Sequence, residues 1–232
     1  MPSRYASLPV RASFPCEHLT IAAGVAIFHL ATERVVLCYH TRDKTWFLPK
    51  GRRNANEDTA RAAEREGYEE SGYRNRLLPL PLRHRQPDPG SGPEPFVTEP
   101  VWTQLLQLTE RTQYMLFWYI AETIPPDIER IYAEGRTSRS GYRSPPPFSG
   151  TSSLQARIEE DVTMKNGNRG IYEPVRHEGT GVDDEERLYR AYLLSVDEAC
   201  ERLRGTVMED VVLRGQAAIQ LRKEMEAEQN RR

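Results

Sequence analysis

Two apolar runs dominate the first quarter of the chain. Residues 21–30 (IAAGVAIFHL) and 35–40 (VVLCYH) are rich in β-branched and small apolar side chains, and only Ala31-Thr32-Glu33-Arg34 separates them. They predict two strands joined by a short turn. Polar positions hardly interrupt either run, so both faces are expected to be buried, as in a sheet covered by helices. Residues 113–122 (QYMLFWYIAE) give the strongest strand signal in the chain and are read as a central strand closed by Pro125-Pro126. A further strand with a proline-interrupted end is expected over 73–82, and another over 189–194. The mixed pattern of 97–109 decides nothing. Ser195 and Glu198 have the spacing of a capping box that opens a helix, and the amphipathic stretch 208–228 predicts a long helix over the second face of the sheet.

The polar segments set the boundaries. Residues 1–18 carry Pro2, Pro9 and Pro15 and read as a flexible arm. One domain is expected over 19–232, interrupted by a Pro/Gly-rich loop at 83–96 and a polar insertion at 126–184. The loop reads equally as a substrate lid or a plain connector. Within the insertion, 127–135 predicts a turn or two of helix. Residues 136–155 are low in apolar content and read as mobile, with Ser138, Ser140 and Ser144 beside arginines as candidate phosphorylation sites.

Composition then narrows the classes. Charged residues make up 28% and the net charge is −2, so the global balance names no partner. There is no basic stripe interleaved with aromatics, which argues against nucleic acid as a partner, capped RNA excepted. No apolar run reaches the roughly 18 residues of a membrane span, and the N-terminus lacks the apolar core of a signal peptide. Three widely spaced cysteines suggest free thiols in a reducing compartment. Cytosol or nucleus is the expected location. Locally, residues 1–56 hold eight basic side chains (Arg4, Arg11, Arg34, Arg42, Lys44, Lys50, Arg52 and Arg53) against Glu17, Glu33 and Asp43. That excess suits a small phosphorylated substrate.

Chemistry concentrates in residues 46–73, WFLPKGRRNANEDTARAAEREGYEESGY. Asn56 is a candidate helix cap, Glu57 and Asp58 put negative charge in the first turn, and Gly72 is a candidate terminator. Glu66, Glu69 and Glu70 fall on one helix face within a turn. Such crowded carboxylates repel one another unless a cation sits among them, and oxygen-only donors suit Mg²⁺ or Mn²⁺. Arg65, four residues before Glu69, is placed to orient it. Ala60, Ala63 and Gly67 form a small-residue seam for close packing. Trp46 offers either a base-stacking ring or a core residue.

Gly51, Glu57, Arg65, Glu66, Glu69, Glu70 and Gly72, at their spacing and behind Trp46-Phe47-Leu48-Pro49-Lys50-Gly51, resemble the Nudix box. Gly67 and Tyr73 stand where that pattern has aliphatic residues. The resemblance implies an α/β fold, the Nudix α/β/α sandwich with a mixed sheet between helices, here carrying a long polar insertion. It also implies hydrolysis of a diphosphate linkage with a divalent metal. In those terms the metal site is Gly51, Glu66, Glu69 and Glu70, and the catalytic group is Glu57, Arg65, Glu66 and Glu69. Arg42, Lys44, Lys50, Arg52 and Arg53 are the candidate substrate-binding cations. Glu185 and Glu186 match a place where some members carry a further ligand or base. The lead-in resembles dinucleoside polyphosphate and diphosphoinositol polyphosphate hydrolases. Messenger-RNA cap or ADP-ribose-type substrates, and a non-catalytic module that binds nucleotides or proteins, are the alternatives. Partners of the insertion are left open.

Overall fold

The computed structural model describes residues 5–87, 94–134, 142–150, 152–165 and 168–231. Its spine is a parallel pair. Strand β1 (Leu19–His29) runs beside β7 (Gln113–Thr123) from Leu19 opposite Gln113 to Phe28 opposite Glu122. Strand β2 (Arg34–His40) folds back antiparallel on β1, and β10 (Tyr189–Ser195) pairs along the other side of β2. The short strands β3 (Thr45–Phe47) and β4 (Lys50–Arg52) pair with β2 and β1 respectively. Beyond β7 lie β5 (Asn75–Leu77) and β6 (Trp102–Gln107), both antiparallel to it. The result is one mixed, eight-stranded sheet.

Side chains alternate across a strand, and the core follows that rule. Ala22, Ala26, Phe28, Val35 and Leu37 join one buried cluster; Ala23, Val25, Ile27, Val36 and Cys38 join the other. The first is closed by α4 (Val196–Arg202) and α5 (Val207–Gln229), through Val196, Ala199, Val211, Val212 and Ile219. The second is closed by α1 (Thr59–Ser71), through Ala62 and Ala63. The expected covered sheet is therefore present. So is the Ser195–Glu198 capping box. Gly67 lets helix α1 pack directly on the sheet: a Cβ there would stand 2.6 Å from Asn75 Nδ2 and 2.9 Å from Val25 Cγ1.

Three expectations need correction. The α1 cap is Asp58, whose carboxylate accepts from the Arg61 N–H at 2.7 Å; Asn56 instead takes a left-handed turn, φ 63°. Glu57 lies ahead of the helix because its carboxylate closes the preceding loop onto the Asn54 N–H. The strand expected over 73–82 is β5 plus isolated bridges from Tyr73 to Arg176 and from Leu80 to Val97, since Pro79 and Pro81 lack ladder donors. Segment 97–109, which the pattern left undecided, contains β6; its half-exposed Leu105 and Leu106 explain the blurred alternation.

The insertion is more structured than its composition suggests. It contains α2 (Pro126–Glu134), α3 (Leu154–Glu160) and a hairpin of β8 (Val162–Lys165) with β9 (Asn168–Ile171). Phe148 and Leu154 enter the core, against the expectation of mobility; Ser138 and Ser140 lie outside the described residues. Two apolar anchors suffice because buried charge supplements them. Arg157 of α3, 1% exposed, reaches Glu122 of β7 at 2.8 Å and Asp161 at 2.9 Å, and Asp161 meets His29. Residues 5–15 form no helix or strand, and 88–93 of the expected loop lie outside the described residues. No helix among the described residues is long and apolar enough to cross a membrane. Cys16, Cys38 and Cys200 are free thiols.

Candidate active site

The β3–β4–α1 segment presents its charges toward the backbone of β4. Gly51 has Glu66 directly against it: a Cβ at this position would overlap the Glu66 carboxylate. One residue earlier, the Lys50 N–H donates to Glu70 Oε2 at 2.7 Å. Helix α1 ends at Gly72, whose φ of 77° is the left-handed conformation that glycine adopts without strain.

Arg65 ties the loop to the helix. Its Nε and Nη2 donate to the two Glu57 carboxylate oxygens at 3.0 and 2.9 Å, and Nη1 donates to Glu66 Oε1 and Glu69 Oε2, each at 2.7 Å. Nη2 also donates to the Arg52 carbonyl at 2.9 Å. Burial opposes the charge on Glu57, yet the Arg65 bonds hold its carboxyl below the ordinary range. One guanidinium thus fixes three carboxylates.

Glu186 completes the cluster. Ligand-competent oxygens of Glu66, Glu70 and Glu186 all lie within 4.8 Å of one another. Burial pushes Glu70 up to about 8, relieved by Lys50 and worsened by Glu66 and Glu186. Burial likewise pushes Glu66 up to about 7 despite Arg65. Glu186 is raised too, first by burial and then by Asp183 and Glu69, while its bond from the Val182 N–H opposes the shift. Three converging carboxylates whose charge is disfavoured by desolvation fit a hard divalent cation, which would restore the charged state to each. The donor set suits Mg²⁺ or Mn²⁺ and offers no soft ligand.

The tail of the insertion brings Glu186 there. Thr180 Oγ1 donates to the Glu69 carbonyl at 2.8 Å and the His177 N–H donates to the Gly72 carbonyl at 2.9 Å, so this segment clasps the end of α1. Glu186 follows it and opens a single 3₁₀ turn (Glu186–Leu188) leading into β10.

The other sequence candidates divide. Glu69 lies on Arg65 and outside the trio. Glu185 faces away: its Oε1 lies 2.8 Å from His40 Nε2 and accepts from Arg42 Nη2 at 2.5 Å, which also engages Arg42. Lys44 is exposed in the β2–β3 turn with φ 57°. Arg52 is exposed, and Arg53 donates to the Glu57 carbonyl at 2.8 Å. Lys50 is the candidate cation nearest the cluster, its ammonium 5.5 Å from the Phe47 ring centre and electrostatically coupled to Glu70.

Trp46 does not face this site. It stacks with Tyr39 (4.8 Å) and Tyr192 (5.3 Å) and carries the Arg202 guanidinium at 4.9 Å, on the α4 side of the sheet. Phe47, its neighbour, points the other way. It pairs with Cys38, whose thiol donates to the Glu70 carbonyl, and its ring meets Tyr189 at 4.9 Å. Burial and then Glu70 hold the Tyr189 phenol above its ordinary value, so it remains an O–H donor. Sequence reasoning missed both rings. The available signal was alternation: of two adjacent strand residues, one alone can face the motif helix.

The NUDIX domain family model matches residues 18–130, which contain β1 through β7 and the whole of α1. The chain belongs to the Nudix superfamily. Nudix hydrolases act on phosphorus-containing anhydrides, and that is the reaction class of this chain. Among solved structures, a Nudix hydrolase from Nitrosomonas europaea is 13% identical over 83% of this chain and 85% of its own, with a TM-score of 0.41. A Nudix-family hydrolase from Clostridium perfringens is 18% identical over 87% and 97%, at 0.39. An Ap4A hydrolase from C. elegans, solved as a binary complex, is 12% identical over 85% and 96%, at 0.42. No curated protein matches the chain.

Proposed function

We propose that this Nudix protein is a divalent-metal-dependent pyrophosphohydrolase. Its substrate is a small polyanionic metabolite with a diphosphate linkage, either a dinucleoside polyphosphate or a diphosphoinositol polyphosphate. The observation that carries this reading is the Glu66–Glu70–Glu186 trio, converging within 4.8 Å against the backbone of Gly51. A non-catalytic module would have little reason to keep three desolvated carboxylates together, because their mutual repulsion is costly without a cation.

Glu66, Glu70 and Glu186 would hold Mg²⁺ or Mn²⁺, with the Gly51 carbonyl as a further oxygen donor. The bound ion supplies Lewis-acid neutralisation of the phosphate oxygens. Arg65 keeps Glu57, Glu66 and Glu69 in fixed orientations, so little reorganisation is needed when charge develops on the substrate. Glu69, outside the trio but held beside it, takes the proton of the attacking water. Lys50 binds a phosphate next to Glu70, and Arg52, exposed two residues further along β4, extends the cationic path along the polyphosphate.

The test is release of phosphate products with Mg²⁺ or Mn²⁺ from diadenosine polyphosphates, diphosphoinositol phosphates, capped RNA, ADP-ribose and nucleoside triphosphates. Glu70→Gln serves as the control. Turnover of one class, lost in the control, is expected. Silence across the whole panel from protein that demonstrably binds Mn²⁺ would overturn the hydrolase reading.

A further inference from the structure

The three carboxylates of the cluster are held by different parts of the chain. Arg65 donates to Glu66 and the Lys50 N–H donates to Glu70, so both are fixed within the β4–α1 segment. Glu186 is fixed from the insertion. Its Oε2 accepts from the Val182 N–H at 2.5 Å, and its own N–H donates to Asp183 Oδ1 at 2.9 Å. A third negative group brought within 4.8 Å of two others is repelled by them. The anchor of the 179–186 turn therefore decides whether the cluster keeps three ligands or two.

That anchor is the C-terminal end of α1. The last carbonyls of a helix have no partner within it. Here the Tyr68 carbonyl accepts from the Gly72 N–H, and the Glu70 carbonyl from the Cys38 thiol. The Glu69 carbonyl accepts from Thr180 Oγ1 at 2.8 Å, and the Gly72 carbonyl, just beyond the helix, from the His177 N–H at 2.9 Å. Tyr73 and Arg176 add an antiparallel bridge. The far end of this clasp is held by α2, whose buried Glu129 lies 2.6 Å from His177 Nε2. Between Thr180 and Glu186, Gly181 packs so closely that a Cβ would stand 2.8 Å from Glu186 Cβ and 3.3 Å from its Oε2. The Gly181 φ lies outside the left-handed region, so the requirement there is space rather than conformation. One hydroxyl fixes the turn to the helix that carries Glu66 and Glu70, and one missing side chain lets Glu186 close against the turn.

We propose that Thr180 and Gly181 are positioning residues for the metal site, acting through Glu186, so that the insertion sets metal affinity together with the motif helix. This assignment rests on the hydrolase reading for the identity of the ligands, but its test does not require turnover.

The experiment is calorimetric titration of Mn²⁺ into the full chain carrying Thr180→Val, Thr180→Ser or Gly181→Ala, each alone and combined with Glu186→Gln, with Glu70→Gln measured beside them. Thr180→Val keeps the shape and removes the donor. Mn²⁺ affinity is expected to fall about tenfold, as when a group that orients a metal ligand is lost. Gly181→Ala is expected to lower it similarly, and Thr180→Ser, which keeps the hydroxyl, stays within about twofold of the parent. With Glu186→Gln already in place, Thr180→Val and Gly181→Ala should each change affinity less than about twofold, because residues acting through one group are not additive. A general loss of structure would instead weaken binding equally in both backgrounds, and that result overturns the proposal. So does parental affinity in Thr180→Val and Gly181→Ala, or in Glu186→Gln. In any of those cases, weakened Mn²⁺ binding by Glu70→Gln leaves the hydrolase reading standing, whereas parental affinity there as well would remove the metal site on which it depends.

Discussion

Gly51→Ala should separate metal binding from folding. The added Cβ would overlap the Glu66 carboxylate, and even the more distant oxygen, Oε1, would stand 2.5 Å away. That is about 1 Å inside ordinary contact. Helix α1 cannot back off from the sheet as a unit without opening the packing of Gly67 against Val25 and Asn75. The carboxylate is the far end of a flexible side chain, so it moves instead, leaving its place beside Glu70 and Glu186 and straining its bond from Arg65. The structural cost is then at the low end of overpacking, about 1 kcal/mol. The functional cost is much larger, because a displacement of about 1 Å in a positioned group costs on the order of 100-fold in rate. Mn²⁺ affinity, followed by paramagnetic resonance or calorimetry, is expected to fall about 10- to 100-fold, the range typical when metal ligands lose their orientation. Thermal unfolding without metal should shift by only a few degrees. A Gly51→Ala protein with unchanged Mn²⁺ affinity and turnover would refute the argument that the Gly51 backbone and Glu66 share one site.

Two further outcomes follow from buried charge. In metal-free protein, Glu66 and Glu70 titrate near 7 and near 8 instead of their ordinary 4.5, so between those limits the folded state binds more protons than the unfolded one. Stability therefore falls as pH rises from about 5 to about 8; the stabilisation given by Mn²⁺ should grow over the same interval, as binding displaces those protons. Melting curves with chelator or with Mn²⁺ at several pH values test this, and a metal-induced shift independent of pH would count against it. In the insertion, Arg157→Met strands Asp161 without its arginine and leaves Glu122 with Arg76 alone, both carboxylates being 0% exposed. Loss of one partner of a buried ion pair costs about 3–5 kcal/mol. Calorimetric unfolding should show that loss, and a near-neutral substitution would mean that α3 is not locked to β7 through this charge.

The parts of the molecule legible in the sequence share one property: each is decided within a few residues. The near-continuous apolarity of 21–30 and 113–122 requires a sheet covered on both faces, and β1 and β7 meet that requirement. The spacing of Arg65, Glu66, Glu69 and Glu70 is a helical geometry and needs no tertiary information. What escaped the sequence depends on contacts across distance. Asn56 and Asp58 are equally competent caps, and the choice falls to Asp58 only because Arg65, a full two turns along α1, draws Glu57 into the loop ahead of the helix. Phe148 and Leu154 look like isolated apolar residues in a polar tract, yet Arg157 beside them finds Glu122 on a strand thirty-five residues earlier. Glu185 and Glu186 are indistinguishable as letters. They separate once β10 pairs with β2, setting Tyr189 opposite His40. Glu185 then reaches His40 and Arg42, while Glu186, anchored by the Val182 N–H, faces Glu66 and Glu70. The same register brings Tyr189 to Phe47, so the third carboxylate and the aromatic corner are consequences of a single long-range pairing.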